Sequence, residues 1–483
     1  MWGLIGSDMK IVLTTPPVHF EYPGGNYLPP MHLAYIGTSV QDMKEVQISL
    51  LDSGGLGLLE DDAVDRIIEA DPDVVGLSIT SCDVRRSLKL LTLLKAAKPG
   101  LTTIIGGHHP TAFDSLFLEH VPQVDLAMRG EVDHSFPELV RRLLKAESIA
   151  GAPGLSYRAG GRVVRGIPQV IRDLDSVKFP DRSLLDREKY FLNVLGIDLG
   201  AKQAIPITAI ITSRGCPHHC TFCSKLTPQH YKYRPRSPEN IISEIGLLST
   251  EGYEAVVFTD ENVTYDVKRL ERMCHLLIDN KLNNMHFMFQ GTLHNLSQPI
   301  LNLMRQAGFD AAIVGVESGS DAQLKRFRKA ASSSEIADGV RRARKARMFV
   351  HGSFIYGGPG ETPEDRRATR DFLKKARPNS CTIYELSVYP GSIIWRKLNG
   401  TASPKTLEDT RNRVISSLPG QIDRATIDKE IKSFWKAFAR VCFHWKSLAN
   451  LAALARYNPS IRRILLRYPK VLLQFLSGRQ RYR

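Results

Sequence analysis

Cysteine is scarce in this chain, with seven residues among 483. That is too few and too uneven for a disulfide scaffold, and it suits a reducing compartment. No run of about 18 apolar residues occurs, which argues against a membrane-spanning helix. The opening MWGLIGSDMK lacks the basic and apolar parts of a signal peptide, so a cytoplasmic location is expected. Internal repeats and low-complexity segments are missing as well. Acidic residues are missing from one region only: Ile431 to Arg483 holds 12 Lys or Arg and no Asp or Glu. The rest of the chain carries 53 basic against 50 acidic side chains, so the net charge of +15 belongs to a tail.

What is present is an ordinary globular composition, 43% hydrophobic and 24% charged, in a length that suits two or three domains. Residues 1–150 alternate strands and helices. Strands are expected at Lys10–Pro17, Val46–Asp52, Asp73–Thr80, Thr102–Gly107 and Val124–Arg129, and helices over Asp62–Ala70 and Arg85–Lys98. Strands this apolar indicate a doubly wound, Rossmann-like α/β unit with a parallel sheet covered on both faces. Ligands of such sheets bind outside the strand carboxyl ends. Those ends carry Pro17, the stretch from Ser78 through Thr80, Gly106-Gly107-His108-His109 and Gly130-Glu131.

Residues 151–205 look like a linker with at most a hairpin in it. From 206 to 400 six further strands are expected: Ala209–Thr212, Ala255–Thr259, His286–Gln290, Ala312–Val316, Phe349–Ile355 and Cys381–Val388. Six β/α units make a partial (β/α)6, TIM-like barrel, with chemistry at the strand carboxyl ends. Residues 401–483 read as helical to the end.

The informative stretch is Thr212-Ser-Arg-Gly-Cys-Pro-His-His-Cys-Thr-Phe-Cys-Ser224, a C-x3-C-x2-C triplet behind the first barrel strand. Three thiolates, Cys216, Cys220 and Cys223, can hold three irons of a [4Fe–4S] cube and leave the fourth open to a substrate. A zinc site completed by His218 or His219 is the competing reading.

With Phe222 as the aromatic of C-x3-C-x-aromatic-C, residues 206–398 resemble the radical S-adenosylmethionine enzymes. Phe258-Thr-Asp-Glu-Asn262, Gly315-Val-Glu-Ser-Gly319, Lys329, Gly357-Gly-Pro-Gly-Glu-Thr362 and Tyr389-Pro-Gly391 follow in the family's order. The resemblance implies that the open iron chelates S-adenosylmethionine, whose reductive cleavage releases a 5′-deoxyadenosyl radical. It also places Glu317 and Ser318 near the ribose and methionyl groups, Asp260 or Glu261 near the amino group, and Lys329 facing the carboxylate. The plainer alternatives are a helix cap for Ser318, a turn former for Asp260 and a solvated charge for Lys329.

The first 145 residues resemble the cobalamin-binding domain that precedes the barrel in one branch of that family, through Pro16-Pro17, Leu28 to Tyr35, Asp73 to Ser78, Gly106 to Thr111 and Arg129-Gly-Glu131. The cobalt-ligating D-x-H-x-x-G motif is absent. The nearest string, Asp52-Ser-Gly-Gly-Leu-Gly57, has glycine where the histidine belongs. Many members of that branch lack this ligand, so cobalamin stays expected while the lower face of its cobalt is unassigned. His108 and His109 read as loop residues near the corrin.

In the tail, Phe434, Phe438, Val441, Trp445, Leu448, Ala452 and Ala455 share one helical face. Ile461, Leu465, Tyr468, Leu472 and Phe475 continue the pattern past Pro459. This describes either a helix lying on the inner membrane face or a cap over the barrel. Nucleic acid is disfavoured, because no stacking-platform motif accompanies the cations. The resemblance then implies a cobalamin-dependent methyltransferase acting on an unactivated carbon of a small molecule, lipid or terpenoid, fed by an electron donor such as flavodoxin or ferredoxin. Ring closure, rearrangement or oxidation without methyl transfer, as in anaerobic cyclases, is the alternative, and a non-enzymatic cobalamin-responsive protein is a third.

Overall fold

The computed structural model describes residues 8–17, 28–190, 206–224, 232–399, 404–410, 413–418 and 420–442. The chain divides into two compact units, Met1–Tyr190 with Asn399–Asn412, and Phe191–Leu398 with Arg413–Arg483.

The front unit comprises β1 (Met9–Thr14), α1 (Met31–Val40), β2 (Val46–Leu51), α2 (Glu60–Glu69), β3 (Val74–Ser78), α3 (Val84–Ala97), β4 (Thr102–Gly106), α4 (His108–His120), β5 (Leu126–Met128), α5 (Ser135–Leu144), β6 (Leu155–Ala159) and β7 (Arg162–Arg165). Its sheet order is β2-β1-β3-β4-β5-β6-β7. The first five strands are parallel. Successive side chains of one strand enter different cores. Val12, Val75, Leu77 and Ile105 pack with α2 and α3, whereas Ile11, Leu13, Val74 and Ile104 pack with α1 and α5. This period of two explains the unbroken apolar strands, because both faces are covered. The order 2-1-3-4-5 opens a ligand crevice at the strand ends where the winding reverses, between β1 and β3.

Two expectations need correction here. The hairpin allowed for in the linker at 151–205 is present as β6–β7, but it is part of the front sheet, which it extends antiparallel from β5. Arg158 fixes the hairpin by donating to the carbonyls of Leu118, Val121 and Val124 at 2.5–2.6 Å, which satisfies the end of α4. Residues 191–205 lie outside the described residues. Nor is the stretch after Gly400 one helical region. Asn399–Asn412 groups with the front unit, where Leu407 packs against the α2–α3 core and buried Thr410 bonds His109.

The second unit comprises β8 (Ile207–Ile210), β9 (Ser213–Arg214), β10 (Arg234–Pro235), α6 (Pro238–Thr250), β11 (Ala255–Phe258), α7 (Val267–Asp279), β12 (His286–Gly291), α8 (Gln298–Gln306), β13 (Phe309–Glu317), α9 (Asp321–Arg326), α10 (Ser333–Lys345), β14 (Phe349–Tyr356), α11 (Pro363–Ala376), β15 (Ser380–Glu385), β16 (Ser387–Val388), α12 (Ile393–Asn399), β17 (Arg413–Val414) and α13 (Arg424–Cys442). Six strands, in the order β15-β14-β13-β12-β11-β8, are all parallel. Side-chain caps start the helices. Ser237 precedes Pro238, and Ser332–Glu335 and Thr362–Asp365 form capping boxes. Parallel strands bring every β-to-α loop to one end of the sheet, where Asp260, Glu317 and Gly357 follow one another.

Helix α13 starts at Arg424, and Phe434, Phe438, Val441 and Cys442 are buried in the barrel core. The Phe434 ring lies 5.0 Å from Phe354. Over 431–442 the apolar face of the tail is thus occupied by protein and is not offered to lipid. The rest of that face, from Trp445 onward, lies outside the described residues. No helix among the described residues is long and apolar enough to cross a membrane.

At the opposite end of the strands, His286 opens β12 and bonds Asp310, which also pairs with Arg305 at 2.9 Å. The Asp310 bond raises the His286 pKa against the effect of burial. A raised histidine pKa adds stability that is fully present below about 6.5 and is lost as pH climbs through the folded value. His286→Gln is therefore expected to cost about 1 kcal/mol near pH 6 and less by pH 9, read from thermal melts across pH.

Candidate active site at the strand ends

The loop that carries the three cysteines is anchored before it begins. Buried Asp260, just beyond β11, accepts from the Thr212 amide at 2.7 Å, the Thr212 hydroxyl at 2.6 Å and the Ser213 hydroxyl. Arg269 of α7 donates to the Thr212 carbonyl at 2.6 Å. Gly215 has φ of 85°, a left-handed turn that suits glycine, and its amide donates to Glu261 at 3.1 Å.

Beyond the glycine, Cys216 is buried, while Cys220 and Cys223 are half-buried, and none of the three is in a disulfide. The Cys223 amide closes a turn on the Cys220 carbonyl at 3.2 Å. The loop is anchored again in its middle. The Thr221 amide donates to the Phe327 carbonyl at 2.9 Å, and its own carbonyl accepts from the Ile394 amide at 3.0 Å. Phe222 packs edge-on against Phe327 with centroids 5.1 Å apart, so it is a wall of this loop.

Of the two loop histidines, His219 is exposed, and His218 packs edge-on against Tyr265. A zinc site needs four ligands on one ion. A cube gives each thiolate its own iron, which is the donor set this loop offers.

Glu317 and Lys329, singled out separately in the sequence, meet each other: Nζ lies 3.0 Å from Oε1. Glu317 sits at a register shift between β13 and β14 with φ of 65°, a strained conformation for a residue with a side chain. Burial lowers the Lys329 pKa, but Glu317 and the nearby thiols of Cys220 and Cys216 outweigh it, so the lysine stays charged. Ser318 is fully buried, bonded to Thr369 and to the Ser320 amide, and acts as a brace within the protein. Asp260 has both oxygens taken up by Thr212 and Ser213. Glu261, beside it, is exposed and accepts from the Gly215 amide.

In the front unit the strand ends gather the expected residues. Pro17 is buried, with its carbonyl 3.3 Å from Arg86. Gly107 has φ of 97°, and a Cβ there would lie 2.8 Å from the Ile79 carbonyl, so β4 passes into α4 only with glycine. Ser78 and Gly106 are half-buried. Exposed Thr80 donates from its amide and hydroxyl to Asp83, whose carboxyl is pushed up to about 6 by burial. Gly130 donates to Thr111 at 3.0 Å, and Glu131 accepts from the Ile171 amide at 2.9 Å.

The two adjacent histidines separate. His108 is the exposed first residue of α4, whereas His109 is a core residue bonded to Ser81 at 2.9 Å and Thr410 at 3.0 Å. The loop expected to hold both is the start of a helix. Asp52, in the string that resembles a cobalt-ligand motif, is consumed by Thr15, Tyr190 and Gly55. Sequence reading missed Thr221, Asp83 and Tyr190, whose roles depend on partners far away in the chain and leave no local signature.

Comparison with known proteins agrees with this layout. Residues 24–140 match the B12 binding domain, and residues 210–373 match the Radical SAM superfamily. An uncharacterised methyltransferase of Pyrococcus horikoshii is 29% identical over 391 residues, 80% of this chain and 82% of its own. The anaerobic magnesium-protoporphyrin IX monomethyl ester cyclase of Rubrivivax gelatinosus is 25% identical over 89% of this chain and 77% of its own. Among solved structures, the radical S-adenosylmethionine methyltransferase TsrM of Kitasatospora setae, with cobalamin and a [4Fe–4S] cluster bound, superposes with a TM-score of 0.65 at 16% identity, over 82% of this chain and 80% of its own. The fold and the cysteine loop thus define a two-domain radical enzyme. The chain carries a B12 binding domain and a Radical SAM domain, the layout of the cobalamin-dependent radical S-adenosylmethionine enzymes, and the cofactors of those two domains are a [4Fe–4S] cluster, S-adenosylmethionine and cobalamin.

Proposed function

We propose that this enzyme methylates an unactivated carbon of a small, mainly hydrophobic substrate. The reading is carried by one combination: a pinned three-thiol loop in the same chain as a doubly wound cobalamin-type unit, with a methyltransferase relative aligned over 80% of the chain. When bound, the cofactors supply one-electron cleavage of a sulfonium and a transferable methyl group.

The protein's own work is to hold and orient. Cys216, Cys220 and Cys223 ligate the cluster, and the bonds at Thr212 and Thr221 fix their spacing. Glu261 would offer a carboxylate to the amino group of S-adenosylmethionine, and the Glu317–Lys329 pair would face its ribose and carboxylate. Pro17, Ser78, Thr80, Gly106, Gly107, His108, Gly130 and Glu131 would hold cobalamin at the strand ends of the front unit. With no histidine at Gly54, the string at Asp52 provides no cobalt ligand. A low-potential donor such as flavodoxin or ferredoxin supplies the electron. A lipid substrate, and contact with the membrane that contains it, depends on the tail beyond 442.

Ring closure without methyl transfer is the second reading, favoured by the cyclase relative that aligns over 89% of this chain. The anaerobically reconstituted enzyme, given candidate substrates and methyl-deuterated S-adenosylmethionine, is expected to release S-adenosylhomocysteine together with 5′-deoxyadenosine and to label the product. Deoxyadenosine alone, with unlabelled product, would select the second reading.

A further inference from the structure

The turn that follows α9 is fastened to the cysteine loop more firmly than chain connectivity requires. Thr221, between Cys220 and Phe222, donates from its amide to the Phe327 carbonyl and from its hydroxyl to the Arg326 carbonyl at 3.2 Å. Phe327 is fully buried and carries the Phe222 ring on its edge. Arg328 then takes a left-handed φ of 54°, and the Lys329 amide turns back to the Leu324 carbonyl at 2.9 Å. This returns the Lys329 side chain to the strand ends, where its ammonium lies 3.0 Å from Glu317. Both side chains are close to nine-tenths buried, at 13% and 10% exposure. Space for the pair exists because residue 315 is glycine. A Cβ there would sit 2.2 Å from the Glu317 oxygen and 3.1 Å from Nζ. Phe327 lies two residues before Lys329, so the Thr221 bonds tie the lysine's own turn to the residue that follows Cys220.

We infer that Lys329, pinned beside the cysteine loop and balanced by Glu317, sets the reduction potential of the cluster. This rests on the cluster assignment above and adds a role that ligation does not cover. Reduction puts one electron, and no proton, onto a cube held by three thiolates, so the site gains one negative charge. A fixed cation nearby stabilises the reduced state, and a fixed anion opposes it. Because the pair is buried, salt screens it weakly. The two residues therefore tune in opposite directions. Thr221 is the positioning residue that keeps the cation at its distance.

The test is an EPR-monitored redox titration of the anaerobically reconstituted full chain with dithionite as the electron source. Lys329→Met is expected to lower the equilibrium constant for reduction on the order of tenfold, about 59 mV downward for a one-electron couple. Glu317→Gln moves the potential upward, and Lys329→Arg, which keeps the charge, leaves it near the native value. Equal potentials in the native, Lys329→Met and Glu317→Gln proteins would overturn the inference while leaving the cluster in place. Should Lys329→Met fail to load iron, Glu317→Gln decides: a potential at or below the native one overturns the inference. A native protein with no reducible cluster would instead remove the cluster assignment itself.

Discussion

Replacing Cys220 with alanine is expected to abolish S-adenosylmethionine cleavage and to leave the reconstituted protein without its cube, while the fold survives. The backbone groups around Cys220 are already engaged. Thr221 is bonded on both sides, and the Cys223 amide closes on the Cys220 carbonyl, none of which uses the thiol. The apo-protein should therefore melt within about 1 kcal/mol of the native one. The remaining two thiolates hold two irons at most, and a cube so held has no defined open corner. Cys274 and Cys381 provide the contrast. Burial pushes the Cys274 thiol up to about 12 and raises that of Cys381 well above its ordinary value, so neither supplies a thiolate. Cys381→Ser should load iron as the native protein does. Iron and sulfide analysis with deoxyadenosine assay checks both, and turnover surviving Cys220→Ala would refute the ligand assignment.

Asp260→Ala should be nearly as damaging, through the anchor of the cysteine loop. Removing it leaves the Thr212 amide and the hydroxyls of Thr212 and Ser213 buried without their acceptor. It also removes a negative charge that interacts with Arg269, which donates to the Thr212 carbonyl. Unmet buried donors cost about 1–3 kcal/mol each, and hydroxyls recover part of that by rotating. A loss of about 3 kcal/mol is expected, with a fall in iron per chain because the cysteine loop starts three residues after Ser213. Asp260→Asn keeps one acceptor and should lose less than half as much. Anaerobic urea melts and iron content measure the two effects, and Asp260→Ala at native stability and occupancy would contradict the anchoring role.

The strands were legible because their residues are largely buried, on both faces in the front sheet, so runs such as Val74–Leu77 and Ala255–Phe258 carry no charged or polar side chain. The cysteine triplet was legible because its spacing is local. What escaped depends on partners remote in sequence. The bonds of Asp260 to Thr212, 48 residues upstream, are visible only in the fold. His109 reads the same as His108 until Thr410 reaches it from 301 residues away. A hairpin at β6–β7 was foreseen, but not its place on the front sheet, which Arg158 and Arg165 fix through carbonyls of the α4 end and Asp114. On α13 the apolar face was visible, but periodicity alone gives no choice between lipid and protein as its cover. The buried contacts of Phe434 and Phe438 decide this for 431–442.

The central claim is that Cys216, Cys220 and Cys223 share a cube whose fourth iron takes S-adenosylmethionine. Metal analysis and EPR on the anaerobically purified native chain, before and after adding S-adenosylmethionine, test it most directly. About four irons and four sulfides per chain are expected, with a reduced signal that changes shape when S-adenosylmethionine is added. Zinc at the loop, or a signal that the sulfonium leaves untouched, would contradict it.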